Sequence, residues 1–143
     1  MEGATPDPKL ELLKRVPLFA SLEPDHLAAV AAITDERDVP AGTTLTVEGR
    51  HEGYFYAIVD GDVRIDRGGQ TINTLRAGDF LGEIALLDGG PRTATAVAET
   101  PSRLLVLNNR RFWELLDQEP GVREAVIQEF GRRLRAMDGE SLH

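Results

Sequence analysis

Gly82-Glu83 and, a short turn later, Arg92-Thr93 are the residues best suited to hold a small charged molecule. They lie in the stretch Gly78-Asp79-Phe80-Leu81-Gly82-Glu83-Ile84-Ala85-Leu86-Leu87-Asp88-Gly89-Gly90-Pro91-Arg92-Thr93-Ala94-Thr95. Gly82 lets the backbone turn tightly, Glu83 to Leu87 has the length of about one helical turn, and Gly89-Gly90-Pro91 swings the chain into a strand opening at Arg92. A short helix that starts beside a glycine leaves N–H groups pointing outward, where they suit a phosphate. Arg92 adds a planar, permanently charged fork that matches two phosphate oxygens, and Thr93 offers a hydroxyl beside it. Glu83 would repel a phosphate. The conflict resolves if the ligand carries a hydroxyl as well as an anion, because an ionised carboxylate only accepts hydrogen bonds and would hold a ribose 2′-OH. A nucleotide with a free 2′-OH fits that demand, and binding it requires no catalysis.

The elements around this stretch read as a β-rich middle between helical ends. Ten of the 14 glycines fall between Gly42 and Gly90, separated by short segments rich in Val, Ile, Thr, Tyr and Leu, as in short strands broken by turns. Strands are expected over Thr44 to Val47, Tyr54 to Val59, Val63 to Asp66, Thr71 to Leu75, Thr93 to Ala98 and Arg103 to Leu107. Asp60-Gly61 reads as a hairpin-type turn, and Arg67-Gly68-Gly69-Gln70 closes the next pair. Before this middle, Glu23-Pro24-Asp25 reads as a helix start, with Leu27, Val30 and Ala31 at helical spacing. After it, Asn108 and Asn109 can cap a short helix carrying Phe112, Trp113, Leu115 and Leu116, which stops before Pro120. A final helix from about Pro120 to Met137 carries the stripe Val122, Val126, Phe130, Leu134 and Met137, with Arg132, Arg133 and Arg135 in its last turns and Gly139 as its end. The expected fold is mainly β with flanking helices, an antiparallel β-roll (jelly roll). In one domain over 1–143, N-terminal helices take about 9–34, the roll about 38–107 and the C-terminal helices about 109–138.

Composition removes whole classes of function. The chain has 143 residues, 41% of them hydrophobic, which suits one compact domain. No cysteine is present, so disulfides, thiolate metal sites and cysteine nucleophiles are out. The net charge of -8 opposes binding to a phosphate backbone, so no nucleic-acid partner is expected. Arg110-Arg111 and Arg132-Arg133 are isolated pairs, better suited to solvent or to helix ends than to reading DNA. The start Met1-Glu2-Gly3-Ala4 has no basic region or apolar run and no stretch approaches a membrane span, so the chain is read as soluble and cytoplasmic, with no membrane segment. An enzyme of the metal-binding jelly-roll type would need clustered histidines. His26, His51 and His143 are scattered and share no ligand spacing, so neither a metal nor catalysis is expected. Asp88 reads as a turn residue. Trp113 with Phe112 could dock a partner, although aromatics on an amphipathic helix are more often core.

The order Phe80-Leu81-Gly82-Glu83-Ile84-Ala85-Leu86 followed by Pro91-Arg92-Thr93-Ala94 resembles the phosphate-binding cassette of cyclic-nucleotide-binding domains. That is the family of the catabolite activator protein, protein kinase A regulatory subunits and cyclic-nucleotide-gated channels. The resemblance spans nearly the whole chain. Val16-Pro17-Leu18-Phe19-Ala20-Ser21-Leu22 is similar to the family's leading helix, and Val39-Pro40-Ala41-Gly42-Thr43 to its first strand. Glu48-Gly49 and Tyr56-Ala57-Ile58-Val59-Asp60-Gly61-Asp62-Val63 are similar to the turn and hairpin that follow.

This resemblance implies a sensor of cAMP, with cGMP as the other possible ligand, and assigns the parts. Glu83 would hold the ribose 2′-OH, Arg92 the phosphate oxygens and Thr93 one of them. Backbone at Gly82 and Ala85 would complete a cradle that also includes Ile84 and Ala94, and Ile72, Leu81 and Val97 would line the base pocket. The final helix would close as a lid, bringing Phe130, Arg133, Leu134 and Met137 to the base, with Arg133 able to stack on it. The opposing reading is a Glu83–Arg92 pair in a domain without ligand, serving as a nucleotide-independent interaction module with the same fold. Family members that act on transcription carry a helix-turn-helix domain after the roll, whereas 23 residues follow Pro120 here. The expectation is therefore a stand-alone sensor or a domain of a longer protein such as a channel, with a homodimer possible and the effector open.

Overall fold

The structure, a computed structural model, describes residues 8–16, 19–82 and 90–141, with only the backbone at 8, 133, 134 and 136–141. These residues fall into two compact units, one over Ala32–Trp113 and the other formed by the residues up to Ala31 with those from Glu114 onward. Glu83, Ile84 and Ala85 lie outside the described residues.

The first unit is built from eight short strands: β1 (Thr34–Val39), β2 (Thr44–Thr46), β3 (Tyr54–Asp60), β4 (Val63–Arg67), β5 (Gln70–Leu75), β6 (Phe80–Leu81), β7 (Thr95–Ala98) and β8 (Ser102–Asn108). They form two antiparallel four-stranded sheets, β1-β8-β3-β6 and β2-β7-β4-β5. This is the expected mainly β architecture. A core of Leu45, Tyr56, Ile58, Val63, Ala96, Leu104 and Val106 draws on strands of both sheets, with Val39, Ile65, Leu75 and Leu81 set against it. Alternation places these side chains on one face of their strands. In β3 and β8 the alternate residues Phe55, Ala57, Leu105 and Leu107 are buried as well, so these two strands read as continuous apolar runs.

The two turns expected around β4 behave differently. Gly68 and Gly69 have φ of 59° and 81°, and Arg67 pairs with Gln70. Positive φ at both central residues is what a two-residue hairpin of primed type requires. Asp60-Gly61 is no hairpin: β3 pairs with β6 and β8, while β4 pairs with β5 and β7. The chain crosses there from one sheet to the other. Gly61 has φ of 108°, and Ser102 of β8 fills the place of its missing side chain.

The second unit carries α1 (Pro8–Leu13), α2 (Pro24–Ala32) and α4 (Pro120–Ser141), and α3 (Asn109–Gln118) begins in the first unit and ends in the second. Leu27, Val30 and Ala31 of α2 are buried, as their spacing implies. The Asn108 side-chain oxygen accepts the N–H groups of Arg110 at 2.8 Å and Arg111 at 3.3 Å, which makes it the cap of α3. On α4, Val122 and Val126 are buried and Phe130 is half-buried. The helix runs past Gly139 to Ser141. Phe112 is fully buried, but Trp113 is 44% exposed. Among the described residues no helix is long and apolar enough to cross a membrane.

Candidate functional site

The antiparallel register of β3 with β6 sets Tyr56 against Leu81 and Ala57 against Phe80, which delivers Gly82 to the start of β3. Gly82 has φ of 88°, a conformation open to glycine and strained for other residues. A side chain at this position would run into the Arg92 guanidinium and the Tyr54 carbonyl oxygen. The fold thus brings together Gly82 and Arg92, both within the segment singled out in the sequence.

Arg92 is held at both ends. Its N–H donates to the Arg50 carbonyl at 2.8 Å, and its carbonyl accepts the Gly49 N–H at 2.8 Å. Pro91, just before it, forms a β-bridge with His51. Its side chain is buried, and Nη2 donates to the Tyr54 carbonyl. Nε is buried and has no hydrogen-bond partner among the described residues. A buried charged donor without a partner is an expensive arrangement unless something else supplies the acceptor. Burial, the largest influence, pushes the guanidinium's proton affinity down, while Tyr56 and Glu52 oppose it.

The residues after Arg92 are tied to neighbouring turns. The Thr93 side chain is exposed and its carbonyl accepts Arg67 Nε at 3.0 Å. The carbonyl of half-buried Ala94 accepts the Thr46 hydroxyl at 3.1 Å, and Thr95 Oγ1 accepts the Glu48 N–H at 2.9 Å. The regular part of β7 starts at Thr95 rather than Thr93, because these links hold the chain off the ladder. Among the apolar residues assigned to a base pocket, Leu81 and Val97 are half-buried and Ile72 on β5 is 50% exposed. Leu81 is set against the core. Arg133 lies on α4, and its side chain lies outside the described residues.

Sequence reasoning missed the role of Tyr54, whose main-chain oxygen anchors Arg92. A carbonyl leaves no trace in residue type. Glu52 was missed as well, although a carboxylate just before β3 was visible. Among the described residues, no group of three or more potential metal ligands comes together.

This geometry has relatives. The model of the cyclic nucleotide-binding domain matches residues 36–119. The chain is 30% identical over 130 residues to the CRP-like cAMP-activated global transcriptional regulator of Mycobacterium tuberculosis, covering 87% of this chain and 58% of that one. It is 36% identical over 106 residues to a cAMP-dependent protein kinase regulatory subunit of Aspergillus niger, covering 73% of this chain and 26% of that one. It therefore spans less than two thirds of either curated relative. The solved N-terminal domain of a transcriptional regulator from Streptomyces coelicolor A3(2) superposes with a TM-score of 0.83 at 32% identity, covering 90% of this chain and 96% of that one. The chain belongs to the cyclic nucleotide-binding domain family.

Proposed function

We propose that the chain is a cAMP sensor without catalytic activity, acting in the cytoplasm. The observation that carries this reading is the buried Arg92 fork, fixed by the Tyr54 carbonyl beside a side-chain-free Gly82, with Nε lacking a partner among the described residues. Such a donor set is prepared for an anionic acceptor before it arrives. Arg92 takes the cyclic phosphate, with Thr93 and backbone at Gly82, Ile84, Ala85 and Ala94 around it, and Glu83 takes the 2′-OH. Leu81, Val97 and Ile72 serve the base. The two curated relatives named above are regulators by name, one cAMP-activated and one cAMP-dependent, which supports cAMP over cGMP. The signal leaves through α4, with Arg133 on the base, and the helices belong with the roll as one sensor domain. Homodimerisation and the effector downstream are open to the same experiments.

Calorimetry and thermal melting with cAMP, cGMP and 5′-AMP test the reading. Saturating cAMP should raise Tm, with 5′-AMP much weaker. No heat and no shift at millimolar cAMP would refute it. Hydrogen exchange along α4 should slow with cAMP if that helix carries the signal. The competing reading, a nucleotide-independent interaction module, draws on exposed Trp113 and expects no response to any nucleotide.

A further inference from the structure

Tyr54 stands between two features that lie far apart in sequence. Its carbonyl accepts Arg92 Nη2. In the β3–β8 ladder the same residue pairs with Asn108, whose side chain caps α3 through the N–H groups of Arg110 and Arg111. One residue earlier, the Gly53 carbonyl accepts the N–H of Asn109, the first residue of α3, at 2.7 Å. Gly53 also has no room for a side chain, because an added Cβ would lie 2.5 Å from Asn109 Oδ1 and 2.8 Å from its Cγ. The consecutive carbonyls of Gly53 and Tyr54 therefore hold the helix start and the arginine respectively.

From this we infer that the backbone segment Gly53-Tyr54, through its two consecutive carbonyls, is a positioning element that couples the Arg92 guanidinium to the N-terminus of α3. An anion that draws the guanidinium toward itself weakens its hold on the Tyr54 carbonyl. The Gly53 and Tyr54 carbonyls lie on adjacent peptide planes joined only by the φ and ψ of Tyr54, so turning the Tyr54 carbonyl loads the neighbouring plane and its bond to Asn109. The close approach of Asn109 to Gly53 leaves little slack in the joint. The inference rests on the proposed nucleotide reading for its purpose, since that reading supplies the anion, but the mechanical link exists without ligand.

NMR on the full chain tests it. In nucleotide-free protein, Arg92→Gln should speed hydrogen exchange at the Asn109 amide by about fivefold or more. The amide of Ile58, on the same strand as Tyr54 and donating to the Asp79 carbonyl, should change much less. Equal change at Asn109 and Ile58 would overturn the coupling. As a converse variant, Gly53→Ala should move the Arg92 Nε–H resonance, and adding Asn109→Gly should return it. An Arg92 resonance unmoved in folded Gly53→Ala protein would overturn the proposal as well. When cAMP is titrated into the unmodified chain, the Asn109 amide should shift with the midpoint of Arg92 Nε–H. Bound cAMP with Asn109 unmoved defeats the coupling and spares the sensor reading. Absence of cAMP binding defeats the sensor reading, and the exchange ratio between Asn109 and Ile58 then decides the coupling.

Discussion

Gly82 has no space for a side chain because the Arg92 guanidinium stands where its Cβ would be, with the Tyr54 carbonyl oxygen 2.6 Å from the same point. Gly82→Ala would combine a strained backbone at φ of 88° with displacement of that guanidinium. Stability should fall by about 1–3 kcal/mol, and cAMP affinity should fall at least tenfold, or about 1.4 kcal/mol. Urea unfolding and calorimetry on the same protein separate the two effects. Unchanged affinity would mean that the guanidinium can move aside freely.

Arg92→Met should separate folding from binding. Burial disfavours the charge on Arg92, so a similar-sized apolar side chain should leave nucleotide-free stability unchanged or raise it by about 1 kcal/mol. Binding of cAMP should weaken by about 2–5 kcal/mol. A large loss of stability without ligand would identify the guanidinium as a structural strut instead.

Glu83→Ala should weaken cAMP binding and narrow the preference for cAMP over 2′-deoxy-cAMP, since the carboxylate is assigned to the 2′-OH. Affinities of both ligands for both proteins decide it. If the unmodified chain binds the two equally, Glu83 does not read the ribose.

Tyr56 provides a test in alkali. Burial is the main cause holding its hydroxyl above the usual value of 10.0, with Arg92 lowering and Glu52 raising it. A folded-state pKa above the unfolded one supplies stability that is complete below the unfolded pKa and is lost as pH rises through the folded pKa. Stability should therefore decline above about pH 10, and Tyr56→Phe should flatten that decline. At neutral pH the same change should cost about 1 kcal/mol, because the hydroxyl donates to the Leu45 carbonyl at 3.2 Å. Parallel Tm-against-pH curves for the two proteins would remove Tyr56 from the account.

Gly121, the second residue of α4, supports the imidazole of His26, since an added Cβ would lie 2.5 Å from its Cε1 and 2.7 Å from its Nε2. Gly121→Ala should therefore destabilise by about 1–3 kcal/mol through overpacking. His26→Ala in the same chain should recover most of that loss, and a double-mutant cycle reads the coupling. Additive effects would place the cost in the helix itself.

What could be read from the residues was whatever depends on local chemistry. Gly68-Gly69 announced a primed turn and Asn108 a helix cap, because positive φ and a short side-chain acceptor are properties of single residues. The first strand was expected by resemblance at Val39 to Thr43 but is Thr34–Val39, because Thr34-Asp35-Glu36-Arg37-Asp38-Val39 has no apolar alternation to mark it and only its pairing with β8 makes it a strand. The Asp60-Gly61 turn carried the right dipeptide but leads into the other sheet, since strand partners are chosen by tertiary contacts. At the site, Arg92 and Gly82 were visible as residue types. The Tyr54 carbonyl that holds Arg92 to β3 was not, because every residue has a carbonyl.

The place of β8 in its sheet bears on how the chain acquires its shape during synthesis. β1 and β3 do not pair with each other, and both take β8 as their partner. A nascent chain that has not yet released Asn108 from the ribosome has no centre to its first sheet, and the apolar run Phe55 to Ile58 has no strand beside it on that side. Assembly must wait for long-range pairing, which places the roll among slow-folding, high-contact-order topologies. During that wait the unpaired β3 edge is the segment most open to misassembly or capture by a chaperone.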